Sequence, residues 1–408
     1  AHTLASEPGV RVTCAPGNPG IASAARCVQA ELSKPDAILA VAEAEGVDLT
    51  VVGPELPLSL GVVDLFTAAG RAIVGPTRAA AALESSKAFA KDFMQRHRVP
   101  TARYRVCSDA ADAREAVRRG ELGFPLVVKA DGLAAGKGVV IAEDQTTALA
   151  TIEDAMVARR FGDAGECVVL EECLVGPEVS FFVLADGRSF VTMASAQDHK
   201  RIFDNDRGPN TGGMGAFAPS PLMTADVERA VIDQVVHPVL EGMRAEGAPY
   251  RGFLYVGLML TAHGPKVIEF NVRFGDPEAQ VVLPMIDGGL ADLLMAAATG
   301  ALAEQRVRLR DEPHVGIVVA SQGYPDAPRS GDVITGLDAA AAVPGALVFH
   351  AGTALRDGAV VTSGGRVLTV VGGGPSFRQA IDIAYRAVSH LKFAGMQYRS
   401  DIGRKAMQ

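Results

Sequence analysis

From Ile268 to Phe274 the chain alternates apolar and polar residues, Ile-Glu-Phe-Asn-Val-Arg-Phe. A strand sends successive side chains to opposite faces, so Glu269, Asn271 and Arg273 share one face and Phe270, Val272 and Phe274 the other. A helical period would scatter these residues. The segment therefore demands a sheet with one apolar face and one polar face. The run before it, GFLYVGLMLTAHGPK, pairs with it as a hairpin over 252–272. Two oxygen donors followed by a guanidinium suit Mg²⁺ with a phosphate or carboxylate. Mg²⁺ takes hard oxygen ligands and keeps several waters, so two side chains suffice. Asp276-Pro277 then reads as the N-cap and first position of a helix.

The chain has 408 residues, which predicts two to four domains. Its 48 % hydrophobic and 21 % charged residues support a sizeable core and exclude a disordered chain. A net charge of −8 excludes a broad basic surface for nucleic acid. No apolar run reaches the roughly 18–20 residues that span a bilayer, and no signal peptide is visible, so no membrane partner is expected. Five cysteines, an odd count without Cys-x-x-Cys, argue against disulfides or zinc and for a reducing, cytoplasmic location.

Residues 1–85 alternate apolar runs at 10–14, 49–55 and 72–77 with helical patterns at 36–46 and 61–70. This rhythm predicts a parallel sheet, with ligands beyond the strands' carboxyl ends at loops 15–20, 53–55 and 75–77. The opening AHTLASEPG reads as the end of a helix, so a strand and loop ahead of it are expected to be missing. A helix over 85–99, stopped by Pro100, leads into a small mobile α+β lobe over about 104–170. A second body holds a hairpin at 178–195, a polar loop at 197–217 without regular structure, and a helix at 224–245. Strands at 314–321, 346–352 and 366–374 and a helix at 376–393 predict a small β-rich end. The expected architecture is α/β and α+β in three parts: 1–85, 86–305 and 306–408.

Three further segments carry chemistry. The loop Asp131-Gly-Leu-Ala-Ala-Gly136-Lys137-Gly138 joins two strands as a flap whose glycines let backbone N–H groups approach an anion. Lys129, at the end of an apolar strand, needs a partner, which a triphosphate supplies. Glu171 and Glu172 are adjacent on a strand and point to opposite faces; the backbone there suits an adenine edge, and Glu178 suits ribose hydroxyls. The polar loop carrying Asp198, His199, Asn210 and Gly213 suits substrate recognition.

In this order, VVGPELPL (51–58), SKAFAKDF (86–93), KADGLAAGKGV (129–139), GPNTGGMGAF (208–217) and IEFNVRFGDPE (268–278) resemble the phosphoribosylamine–glycine ligase (glycinamide ribonucleotide synthetase) family of ATP-grasp enzymes. The resemblance runs from about residue 8 to 405. It implies an ATP-grasp fold, preceded by a Rossmann-like parallel-sheet domain and followed by a small β-rich domain. It implies ligation of glycine to 5-phosphoribosylamine in de novo purine biosynthesis through a glycyl phosphate, with ATP and Mg²⁺, Mn²⁺ being the alternative ion. Lys87, Lys129, Gly136, Lys137 and Gly138 would meet ATP phosphates, Glu171, Glu172 and Leu174 the adenine, and Glu178 the ribose. Glu269 and Asn271 would hold the metal. Arg273, with Lys129 and Asp276, would serve catalysis. Asp198, Asn210, Gly213, Arg273 and Asp276 would contact substrate, and Pro16, Gly17, Asn18, Pro54 and Glu55 would line the phosphoribosylamine side. Members begin with a strand and a Gly-Gly-Arg-Glu-His loop that is absent here; His2 is not that loop's histidine. The partners expected are these small molecules, with the chain a monomer and a dimer as the alternative. Another ATP-grasp ligase, a nucleotide-binding protein without turnover, and a biotin-dependent carboxylase component are the rival readings.

Overall fold

The computed structural model describes residues 1–133 and 138–407. The alternating segment forms the edge strand Gly264–Asn271 of a four-stranded antiparallel sheet, beside Arg251–Thr261, Glu178–Asp186 and Phe190–Thr192 in that order. Phe270 and Val272 are buried, as their face requires. The pairing is irregular between Gly257 and Leu258, which turns Val267 to the buried face as well. Gly257 lies opposite Glu269, and a Cβ there would stand 3.2 Å from Glu269 Cγ, so glycine gives that side chain room.

The core behind this sheet is shared. Leu58, Val62, Val63, Phe66, Ala80, Ala81 and Leu83 from the first part pack with Val235, Val239 and Met243 on Phe270 and Val272. The helix expected over 224–245 runs as Ala225–Val231 and His237–Ala245 around a wider π turn, Ile232–Val236. Pro238 has no N–H for the carbonyl four residues back, which accounts for the break in the α pattern.

The small lobe is a second antiparallel sheet in the order Tyr104–Cys107, Val168–Glu172, Leu126–Ala130, Val139–Ala142. Helices Ala110–Arg119 and Gln145–Ile152 cover one face. Asp109 and Asp144 cap them, each accepting backbone N–H groups of the first turn.

The parallel pairing expected of the first part is present, as two pairs, Thr13–Cys14 with Arg26–Cys27 and Thr50–Val51 with Ile73–Val74. Strands shorter than the apolar runs result, and Arg26-Cys27, without apolar alternation, is invisible to the pattern. Residues 197–217 are not structureless. Gln197–Asp198 pairs with Gly215–Ala218, which pairs with His314–Ala320 of a five-stranded sheet completed by Arg366–Gly373 and Ala346–His350. Arg201–Phe203 and Arg207–Asn210 form a hairpin. The polar residues that read as a solvated loop are held by the chain's end. Arg399, 1 % exposed, meets Asp206 at 2.9 Å and Asp401 at 2.7 Å and donates to the Arg201 carbonyl at 3.0 Å. Among the described residues no helix is long and apolar enough to cross a membrane.

Candidate active site

Ser86 caps the helix Lys87–Arg96, its hydroxyl accepting the Phe89 N–H at 3.1 Å, which sets Lys87 at the first helical position. Asp131, at the base of the flap, accepts the backbone N–H groups of Lys87 (2.5 Å) and Ala88 (3.2 Å). Lys87 Nζ returns to the Gly132 carbonyl at 2.7 Å. The flap's start is thus tied to a positive helix terminus. Its other end closes where the Gly138 carbonyl accepts the Ala130 N–H at 2.8 Å. Gly136 and Lys137 lie outside the described residues. Burial lowers the Lys87 ammonium from its ordinary range, with the charges of Glu269 and Asp131 opposing.

Lys129 already has a partner. Its Nζ donates to the Ile268 carbonyl at 3.0 Å and stands 2.9 Å from Glu171 Oε1, off the direction of a hydrogen bond. Lys91 Nζ meets Glu171 Oε2 at 2.8 Å and donates to Thr101. All three charged groups are buried. The partner expected in a triphosphate is thus present within the chain. Burial alone would push the Glu171 carboxyl up, but Lys129 and Lys91 outweigh it and hold the carboxyl below its ordinary range. Burial takes Lys91 down to about 8 despite Glu171. The asymmetry follows from numbers: Glu171 has two cations, whereas two cations share one anion.

Adjacent acids do point apart, Glu171 inward and Glu172 outward to Arg103 (2.7 Å) and Lys266 (3.3 Å). The backbone at Glu171 and Glu172 pairs with Leu126 and Val127 on one side, and Glu171 with Tyr104 on the other. Both residues are thus engaged in the lobe's sheet. Leu174, half-buried, lies past the strand's end.

On the polar sheet face, neither Glu269 nor Asn271 has a side-chain hydrogen bond or ion pair among the described residues. Glu269 is central: its charge acts on Lys87, Glu84, Asp198 and Lys200. Arg273 does not point free. Glu55 holds its Nε at 2.9 Å and Glu84 its Nη2 at 3.1 Å. Glu84 is pushed up to about 7 by burial, with Arg273 opposing.

Deeper in the cleft, Lys200 Nζ donates to Asp198 at 2.9 and 3.0 Å and lies 3.2 Å from Glu178. Burial works against the Lys200 charge, but Asp198 and further carboxylates more than offset it, so Lys200 is held as a cation. Ser180 Oγ stands 3.1 Å from Tyr255 Oη and 3.2 Å from Glu278 Oε1. Burial and then the Asp198 charge push the Glu278 carboxyl up. The helix beyond begins at Glu278 with Pro277 as its cap position, one residue later than expected. Asp276 is instead held by Arg366, which donates to its carboxylate at 2.9 Å and its carbonyl at 2.8 Å, and to the Gly212 carbonyl at 2.6 Å. Gly213 has φ +110, and a Cβ there would meet Pro277 Cδ at 2.5 Å, so only glycine lets these segments close on each other. Asn210 pairs in register with Arg201 at the hairpin's end.

The 16–18 turn sits apart. Asn18 donates to the His350 carbonyl at 2.7 Å and accepts the Ile21 N–H at 2.9 Å. Gly17 lies against Cys27 and the Cys14 carbonyl, and no hydrogen bond or ion pair of this turn among the described residues reaches Arg273. Pro54 precedes the short helix that presents Glu55. Sequence reasoning missed Glu84, Lys91, Lys200, Tyr255, Glu278 and Arg366. The lone acid in AAAALES and the acid closing FGDPE were the available signals.

A cleft over an antiparallel sheet, a small antiparallel lobe beside it, lysines from lobe and helix, and a pair of oxygen donors on the sheet define the ATP-grasp class. The Phosphoribosylglycinamide synthetase, ATP-grasp (A) domain model matches residues 85–279. The N domain model of the same family matches 1–84 and the C domain model 314–405. The phosphoribosylamine–glycine ligase of Ralstonia nicotianae is 49 % identical, covering 100 % of this chain and 96 % of that protein. That of Xanthomonas campestris is 51 % identical over 97 % of this chain and 92 % of its own. A crystal structure of phosphoribosylamine–glycine ligase from Thermotoga maritima superposes with a TM-score of 0.84 at 33 % identity, covering 98 % of this chain and 95 % of that one. The biotin carboxylase domain of Hydrogenobacter thermophilus 2-oxoglutarate carboxylase (TM-score 0.71, 18 % identity, 96 % of this chain and 86 % of that one) shares the fold. The chain belongs to the phosphoribosylglycinamide synthetase family and is an ATP-dependent ligase.

Proposed function

We propose that the polar face of the Gly264–Asn271 sheet is the floor on which this chain joins glycine to 5-phosphoribosylamine, giving glycinamide ribonucleotide, ADP and phosphate in de novo purine biosynthesis. The carrying observation is that Glu269 stands, without a pairing partner among the described residues, in the field of Lys87, Lys200 and Asp198. Glu269 and Asn271 fit a divalent ion: both are hard oxygen donors on one face. Among the described residues no group of three His, Cys, Asp or Glu gathers, and Glu269 and Asn271 would hold the ion together with nucleotide oxygens and water. Mg²⁺, or Mn²⁺ in its place, supplies neutralisation of phosphate charge when bound.

Lys87 and Lys129 face the ATP phosphates from helix and lobe, and Gly138, with Gly136 and Lys137, covers them. Backbone beyond Glu172, as far as Leu174, reads the adenine; Glu171 acts by holding Lys129. Glu178 accepts the ribose hydroxyls. Arg273 offers its uncommitted N–H groups to an anionic oxygen, and Asp276, Asp198, Asn210 and Gly213 surround the substrate. Glu55 and Pro54 line the phosphoribosylamine side, and Pro16, Gly17 and Asn18 its outer rim. The glycine carboxylate attacks the γ-phosphorus and ADP leaves. The amine then attacks the glycyl carbonyl, phosphate leaves, and the amine loses its proton. Alignment and charge neutralisation serve such steps without a protein nucleophile. Five free cysteines suit a reducing cytoplasm. Glycine labelled with ¹⁸O in its carboxylate tests the route: one ¹⁸O in the released phosphate supports it, and unlabelled phosphate with full product overturns it.

A further inference from the structure

Arg273 is gripped by two carboxylates that belong to the first part of the chain, not to its own sheet. Glu55, at the start of the helix Glu55–Ser59, holds Nε at 2.9 Å. Glu84, near the end of the helix Arg78–Ser85, holds Nη2 at 3.1 Å with one oxygen. Its other oxygen accepts the Val272 N–H at 2.8 Å. One carboxyl group therefore fixes both the backbone just past the strand Gly264–Asn271 and the side chain that follows. The Phe274 carbonyl accepts an Nη1 N–H at 3.1 Å. Glu84 faces Nη2 as an ion pair, off the direction of a hydrogen bond, so of the five guanidinium N–H groups two are hydrogen-bonded within the chain and three are not.

Glu84 is itself held rigidly. Ala80, Ala81 and Leu83 of its helix are buried in the core that contains Val267, Phe270 and Val272. Its side chain is only 9 % exposed, too covered to be the attacking or accepting group for a substrate. An acid at that depth among alanines has no use for the helix, because burial penalises its charge. Its use lies in what it grips.

We propose that Glu84 is a positioning residue for the ligation: together with Glu55 it fixes the direction of Arg273 so that the uncommitted N–H groups face an anionic oxygen group of a substrate, and it ties the first part of the chain to that point. This rests on the reading of Arg273 as substrate-facing. The anionic group is a carboxylate or a phosphate, carried by glycine or by 5-phosphoribosylamine. An unheld arginine samples many rotamers, and holding it beforehand removes that entropy from the binding step. Glu84 touches no reacting atom.

Steady-state kinetics on the full chain test this, with the concentrations of ATP, glycine and 5-phosphoribosylamine varied in turn. Glu84→Gln keeps an oxygen for the Val272 N–H but sets an amide NH₂ against the guanidinium. The expected result is a rise of about tenfold in KM for one of the two anionic substrates, the size of a contact-pair coupling, with KM for ATP and the thermal midpoint little changed. Which KM rises identifies the source of the anion. Glu84→Asp, whose carboxylate is withdrawn by one methylene, should show the same selective rise in smaller measure and serves if the glutamine variant fails to fold. The double variant with Arg273→Lys should be no worse than Arg273→Lys alone. Unchanged KM values in Glu84→Gln beside an impaired Arg273→Lys overturn the positioning role while leaving Arg273 in the site. An Arg273→Lys variant with wild-type kinetics overturns the reading of Arg273 and this inference with it. A uniform loss across all three substrates, tracking lost folded protein, assigns Glu84 to structure alone.

Discussion

Glu171→Gln removes the single anion from between two buried ammonium groups without changing volume. Glu171, Lys91 and Lys129 side chains are 4 %, 3 % and 6 % exposed, so water cannot replace the carboxylate. Removing one partner of a buried pair costs about 3–5 kcal/mol. A ceiling follows from proton release: an unpartnered lysine can deprotonate, at about 1.36 kcal/mol per unit below its free value near 10.4, so about 4.6 kcal/mol at pH 7 and about 1.9 at pH 9. A lysine whose folded value is depressed gains stability as pH rises toward its unfolded value. Burial holds Lys91 down to about 8 in the wild type, so by pH 9 it is largely neutral in both proteins and the difference narrows. The variant should lose about 3–5 kcal/mol at pH 7 and about 2 kcal/mol less at pH 9. Urea unfolding followed by far-ultraviolet circular dichroism at the two pH values measures this. A loss under about 1 kcal/mol at pH 7, or one equally large at pH 9, refutes the buried-triad reasoning.

Glu269→Ala should abolish metal-dependent turnover while leaving the circular dichroism spectrum intact; turnover near wild type removes the residue from the metal site. Lys129→Met should raise the ATP requirement sharply, whereas unchanged ATP dependence makes the lysine purely structural. Arg366→Ala releases Gly212 and Asp276 from three charge-assisted hydrogen bonds, each worth about 1.5–3 kcal/mol, so KM for glycine or 5-phosphoribosylamine should rise at least about tenfold with KM for ATP unchanged. His199 is 1 % exposed with neither ring nitrogen hydrogen-bonded among the described residues, and burial pushes it down to about 3. The unfolded chain then binds the extra proton, so this group removes about 1.4 kcal/mol of stability per unit as pH falls from about 6.5 toward 3. His199→Phe should flatten that acid limb in urea unfolding, and an unchanged limb excludes His199 as its cause.

Short-range pattern carried the parts of this molecule that local chemistry decides. Alternation placed Glu269, Asn271 and Arg273 on one face, and helical patterning placed a helix over 85–99 that the structure holds as Lys87–Arg96. The hairpin 251–271 and the outward and inward turns of Glu172 and Glu171 follow from the same two-residue period. What sequence could not show is which distant charges meet. Lys129 read as awaiting a phosphate because Glu171 lies on another strand; the grip of Glu55 and Glu84 on Arg273 was hidden because both lie on remote helices. The 197–217 segment read as solvated because Arg399, Asp401 and the strand His314–Ala320, which hold it, come much later in the chain. Arg366 sits in a motif with no local sign that its side chain crosses to Asp276.

The most direct test of the whole account is ADP release by the full chain with Mg-ATP, glycine and freshly generated 5-phosphoribosylamine, each omitted in turn. The account predicts release that needs all three and stops in Glu269→Ala. Release that continues without glycine or without the amine, or that survives loss of Glu269, contradicts it.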